Sequence, residues 1–185
     1  MASNNLSEKE RNSSKTTTMT FRIDSEIMRN ISDEAADARL SVNALVNQIL
    51  SRYSEWGVKE RKAGMVPVSK QLINDMFRRI TSEEVIMMAK DTGKNAVYNI
   101  ALFMKGKTDT ASFLDWFLAR MKTCSEISSI TEDDDSQTYI LKHDLGQNWS
   151  LYNKTVLELI FADLLQKPLR VSITDSTIVI TLVKT

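Results

Sequence analysis

Residues 18–23, "TMTFRI", alternate without a break: Thr18, Thr20 and Arg22 on one side, Met19, Phe21 and Ile23 on the other. A period of two marks a β-strand with one face buried and one face open. Helical spacing begins directly after it, and no second strand pattern follows before "SEISSI" at 125–130. A strand without a neighbour leaves its N–H and C=O groups unpaired, and such an edge is a template for another chain. The economical partner is the same strand from a second copy. Two such strands, antiparallel about a two-fold axis, put Met19, Phe21 and Ile23 into a shared core and turn Thr18, Thr20 and Arg22 outward.

The strand is expected over 16–23. Asp24 or Ser25 then caps a first helix carrying Ile27, Ile31, Ala35 and Ala38, "RLS" breaks the pattern, and Ser41 caps a second helix. Its apolar stripe is Val42, Leu45, Val46, Ile49, Leu50 and Tyr53, and Gly57 is expected to stop it. A two-stranded ribbon fits the DNA major groove, where Arg reads guanine O6 and N7 and Thr meets base edges or the thymine methyl.

The order strand, helix, Ser-containing turn, helix over "TMTFRIDSEIMRNISDEAADARLSVNALVNQILSRY" (18–53) resembles the ribbon-helix-helix family of the CopG, Arc and MetJ type. The resemblance covers less than a quarter of the chain. It implies a homodimer, with Thr18, Thr20 and Arg22 reading bases and Ser41, Val42 and Asn43 holding a phosphate at the start of the second helix. Helix N-termini bind anions, which suits that role. The family often has Gly before this helix; here the residues are Arg39 and Leu40, so Arg39 must tolerate the turn, where it can add a phosphate contact.

Residues 1–15 read as a disordered tail, 16–56 as the DNA-binding module, 57–64 ("GVKERKAG") as a charged linker that could also prolong a helix, and 65–185 as an α+β domain for regulation or oligomerisation. Helices are expected over 69–80, 81–104 (with Gly93 bending or splitting it), 108–123 and 148–166. Strand patterns flank "TEDDDS", and a hairpin turns at Asp175-Ser176. The fold class expected is therefore α+β: a ribbon-helix-helix dimer module, then a mostly helical domain with a small antiparallel sheet.

Formal net charge is zero, so nucleic-acid binding must come from local arrangement rather than a basic whole. From residue 65 onward 14 Lys or Arg face 15 Asp or Glu, without the basic excess of a second DNA surface. The polar N-terminus lacks the apolar core of a signal peptide, no apolar run suits a membrane helix, and a single cysteine, Cys124, fits a reducing cytoplasm. Cys124 and the one histidine, His143, cannot build a nitrogen- and sulfur-rich metal site within one chain. His143 reads as a turn or surface residue and Cys124 as a half-buried small one. "GKT" at 106–108 lacks the first glycine of a phosphate loop, "DTG" at 91–93 falls in a helical pattern, and "EDDD" at 132–135 lacks EF-hand spacing. Phe113, Trp116, Phe117 and Met121 read as core, or as the lining of an apolar effector pocket.

The expectation is a cytoplasmic, non-enzymatic, DNA-binding transcription regulator of CopG-like type, with no cofactor and no metal. Its partners would be double-stranded DNA, a second copy of itself and a small-molecule effector at the C-terminal domain. The alternative is an antitoxin-like or scaffolding interaction dimer without sequence-specific DNA binding.

Overall fold

The structure, a computed structural model, describes residues 17–107, 109–133 and 136–183. The tail at 1–15, the first expected strand residue, Thr16, and part of the acidic "TEDDDS" turn lie outside them. The chain divides into two compact units, Met1–Ser51 and Arg52–Thr185. This division falls before the expected boundary at 56, and the expected linker is not one: Tyr53–Gly57 forms a π turn and Val58–Lys62 a helix, α3. Gly57 does not stop the helical run, because its backbone keeps helical dihedrals. Gly64, at φ +75°, ends it, with Gly64 N–H donating to Arg61 O (3.1 Å) and Met65 N–H to Glu60 O (3.0 Å). That pair of bonds satisfies carbonyls a helix end leaves open, and glycine takes the left-handed position without a Cβ penalty.

In the first unit α1 spans Ser25–Asp37 and α2 spans Val42–Arg52, whose last residue opens the second unit. Asp24 caps α1 by accepting from the N–H groups of Glu26 (2.8 Å) and Ile27 (3.3 Å). α1 closes with the same device as α3, Arg39 N–H to Ala36 O (3.0 Å) and Leu40 N–H to Ala35 O (2.8 Å), but the left-handed residue is Arg39, at φ 55°. Ser41 Oγ then accepts from Ala44 N–H (3.1 Å) and caps α2. Thr17–Asp24 carry no strand pairing among the described residues. The alternation is there in sequence, yet within one chain it finds no neighbouring strand to bond. Met19, Phe21 and Ile23 are 69%, 57% and 44% exposed.

The second unit is α+β, as its sequence pattern implies. α4 (Lys70–Arg79), α5 (Ser82–Met88), α6 (Lys94–Lys105), α7 (Thr110–Met121) and α8 (Gln147–Leu159) accompany one antiparallel sheet. β1 (Glu126–Glu132), β2 (Ser136–Lys142), β3 (Leu169–Ile173) and β4 (Thr177–Val183) stand in the order β1-β2-β4-β3. The two hairpins join through β2 and β4, with Tyr139 opposite Ile180 and Leu141 opposite Ile178, all four buried on one face. Against them lie Trp116, Phe117 and Met121 of α7 and Val156, Leu157, Ile160 and Phe161 of α8 and its continuation. Each fully buried side chain of this kind contributes about 1.5–3 kcal/mol.

Thr81 and Glu84 form the expected capping box, with Glu84 N–H to Thr81 Oγ1 (3.2 Å) and Thr81 N–H to Glu84 Oε2 (2.7 Å). Gly93 closes a π turn, Ala89–Gly93, between α5 and α6, and a Cβ there would lie 2.7 Å from the Tyr152 hydroxyl. The glycine thus serves close helix packing as well as the break. Trp149 anchors α8 to α4, edge-on to Phe77 with ring centroids 5.3 Å apart.

Candidate functional site

The residues expected to read bases, Thr18, Thr20 and Arg22, all lie in the exposed segment before α1. Those expected to hold phosphate occupy the start of α2: Ser41 as its cap, Val42 and Asn43 as its first two residues. The first N–H groups of a helix have no partner within it, and they carry the positive end of its dipole. Ser41 Oγ engages the N–H of Ala44. The Asn43 side chain leans along the helix, its Oδ1 3.4 Å from Asn47 Nδ2, while Asn47 Nδ2 also bonds Asn43 O at 2.8 Å. Arg39 is exposed, two residues before the Ser41 cap.

Among the described residues the unit buries one side chain fully, Ala35 at 1% exposure, and α2 buries none. Ile27, Ile49 and Leu50 stand 54%, 47% and 50% exposed alongside Met19, Phe21 and Ile23. Two amphipathic helices and an alternating segment with no core are stable only when those apolar faces are covered. The charge in 17–51 is not basic: Arg22, Arg29 and Arg39 stand against Asp24, Glu26, Asp33, Glu34 and Asp37. The acids all lie on α1 or its cap, whereas Arg22 and Arg39 lie on the strand pattern and before α2.

Two polar features of the second unit stand out. His143, expected in a turn or at the surface, lies in the connection between β2 and α8 but is buried, at 8% exposure; its Nε2 lies 2.8 Å from Ser150 Oγ, and its Nδ1 accepts from Leu145 N–H at 3.2 Å. An Nδ1 that accepts leaves the ring proton on Nε2, so the histidine donates to Ser150 and cannot take its proton. The pair is therefore a buried structural bond rather than an activated nucleophile. Cys124 and His143 line one cavity, but with both ring nitrogens engaged His143 has no lone pair left for a metal. No group of three or more His, Cys, Asp or Glu among the described residues could hold a metal ion. No helix among them is long and apolar enough to cross a membrane.

The second feature is Arg120 in α7, whose guanidinium lies 5.7 Å from the Trp116 ring centroid while its Nη1 is buried without a hydrogen-bond partner. A charged residue four positions after Trp116, on a helix whose apolar stripe continues to Met121, was the signal in the sequence that could have marked it. Comparison of the chain with known protein families, with curated proteins and with solved structures finds no match.

Proposed function

We propose that the chain is a homodimeric DNA-binding transcription regulator of ribbon-helix-helix type, with its second unit serving regulation or assembly. The observation that carries this reading is that the described residues of the N-terminal unit bury only one side chain, Ala35, fully. The unit has an alternating strand pattern lacking a partner strand among the described residues, and two helices on which Ile27, Ile49 and Leu50 stand exposed. A second copy supplies the missing strand and covers the helices in one step, which leaves Thr18, Thr20 and Arg22 facing away from the shared core. The helix connection supports it further, because Arg39 adopts the left-handed conformation at the place where the resembled family often has glycine. Ser41 follows as a formed cap, so the N–H groups at the start of α2 stand where a phosphate would be clamped.

Two-fold symmetry makes the target a palindrome or repeat. Selection of bound fragments from random DNA tests the reading. The wild type should enrich one such motif. Arg22→Ala should relax base preference by about 1–3 kcal/mol at the contacted position, and Asn43→Asp should weaken binding to every sequence alike. Failure to enrich any motif, with the dimer intact, contradicts base reading.

A second reading has its own support in the acidic balance of 17–51: the same dimer acts as an antitoxin-like or scaffolding interaction module. Co-purification with a protein partner and no retention of genomic DNA fragments would favour it.

A further inference from the structure

A cavity of about 550 Å³ opens in the second unit, with Trp149, Trp56, Ile73, Cys124 and Arg120 along its more buried walls. Its volume falls within the range of small-molecule sites, and its lining has their usual character, apolar and aromatic with a few polar groups. Among the described residues Arg120 makes no ion pair and no side-chain hydrogen bond; its Nη1 and the Nε1 of Trp149 are both buried and unbonded. Arg120 lines the cavity and is part-exposed as a residue, while its Nη1 is shut off from water. The face of Trp116 offsets part of its charge. Burial nonetheless lowers its pKa, and a buried cation without a counter-charge is costly to hold. Arg52, Arg61 and Lys70 stand at the exposed rim, facing one carboxylate, Glu60, in the lining; Lys70 also pairs with Asp144 at 3.3 Å. The cavity therefore combines an electropositive mouth, an apolar body and a cation with unused hydrogen-bond donors.

We infer that this cavity is the binding site of a small organic carboxylate, its anionic end on Arg120 and its apolar body against Trp149, Trp56 and Ile73. The planar guanidinium suits a carboxylate bidentately. Trp149 lines the same cavity, and the Trp116 ring centroid lies 5.7 Å from the guanidinium carbon. The further clause, that the ligand is an effector of the N-terminal module, rests on the DNA-binding reading; the site itself does not.

The test uses the full-length protein with benzoate, phenylacetate and hexanoate, each beside its neutral amide. The carboxylates should give a saturable change in tryptophan emission and raise the melting temperature, and the amides should do neither. Arg120→Met should raise the half-saturating concentration more than about tenfold, while Arg170→Ala, a cation on β3 away from the cavity, should leave it unchanged. Should Arg120→Met not fold, the wild type still decides: Cys124 is the chain's one cysteine, so saturating carboxylate should slow its alkylation by a neutral reagent and the amide should not. Equal effects of acid and amide, no effect of any of the three acids, or an undiminished response in folded Arg120→Met overturns the site. Retention of selected DNA with and without the acid tests the effector clause: a change supports it, and binding of the acid with no change in retention overturns that clause alone. A protein that retains no DNA defeats the regulator reading and leaves the emission and alkylation results to decide on the site.

Discussion

Arg39, Gly93 and His143 each hold a position for a reason that a substitution can expose. Arg39 sits at φ 55°, where a side chain costs of the order of 1 kcal/mol. Arg39→Gly should therefore leave thermal stability unchanged or raise it by up to about 1 kcal/mol, whereas Arg39→Val, branched at Cβ, should lower it by more than about 1 kcal/mol. Gly93 faces the Tyr152 hydroxyl so closely that Gly93→Ala should cost about 1–3 kcal/mol in chemical denaturation. Tyr152→Phe removes the nearest atom, and the double mutant should recover part of that loss. Burial, the largest cause, holds the His143 pKa below its ordinary value; Asp144 and Asp175 oppose the shift and Lys70 adds to it. An unfolded chain then binds the proton more readily than the folded one. The stability is present above the unfolded value, about 6.5, and is lost as pH falls through it toward the folded value. Melting temperature should drop from about pH 7 to about pH 5, and His143→Gln, which can still donate to Ser150, should flatten that drop.

At the scale of elements, periodicity was legible wherever a segment's partners lie within its own unit. α4 through α8 and both hairpins follow the apolar spacing, because each face they bury is met by a neighbour on the same chain. The π turns at Tyr53–Gly57, Ala89–Gly93 and Ile160–Leu165 were not, since one extra residue in a turn leaves no compositional mark, and Gly57 therefore read as a stop where the helix continues. Sheet order was hidden too: which hairpin edges meet depends on the packing of α7 and α8 over Leu141, Ile178 and Ile180, not on any strand's own pattern. Of the candidate sites, Ser41 as a cap could be read directly from residue type and position. Arg120 was marked only by its spacing from Trp116, a weak signal since a charge in a helix ordinarily reads as solvent-facing, and the burial of His143 was hidden because its partner, Ser150, lies on the next helix. The cap allows a direct check. Ser41→Ala should cost about 1 kcal/mol of stability and weaken DNA binding without changing the preferred sequence, as gel retardation on matched and scrambled sites would show.

For the whole molecule, the two units divide the physics between them. Arg52–Thr185 carries the aromatic and aliphatic core, while among the described residues of Met1–Ser51 Met19, Phe21, Ile23, Ile27, Ile49 and Leu50 stand exposed. Phe21→Asp should therefore reduce the dimer seen by sedimentation while leaving the near-ultraviolet signal of the Trp116 and Trp149 core in place. DNA affinity should fall with salt as counterions are released, and because a dimer presents Arg39 twice, Arg39→Ala should reduce the slope of log affinity against log salt by about 2. The proposed pairing of residues 19–23 with the same residues of a second molecule underlies the dimer and DNA predictions, and backbone amide exchange across that segment reports it most directly. At concentrations where the protein is dimeric, alternate amides from Met19 to Ile23 should be protected, and protection should vanish on dilution or in Phe21→Asp. Exchange at the rate of an open chain throughout that segment, in a protein shown to be dimeric, would contradict it.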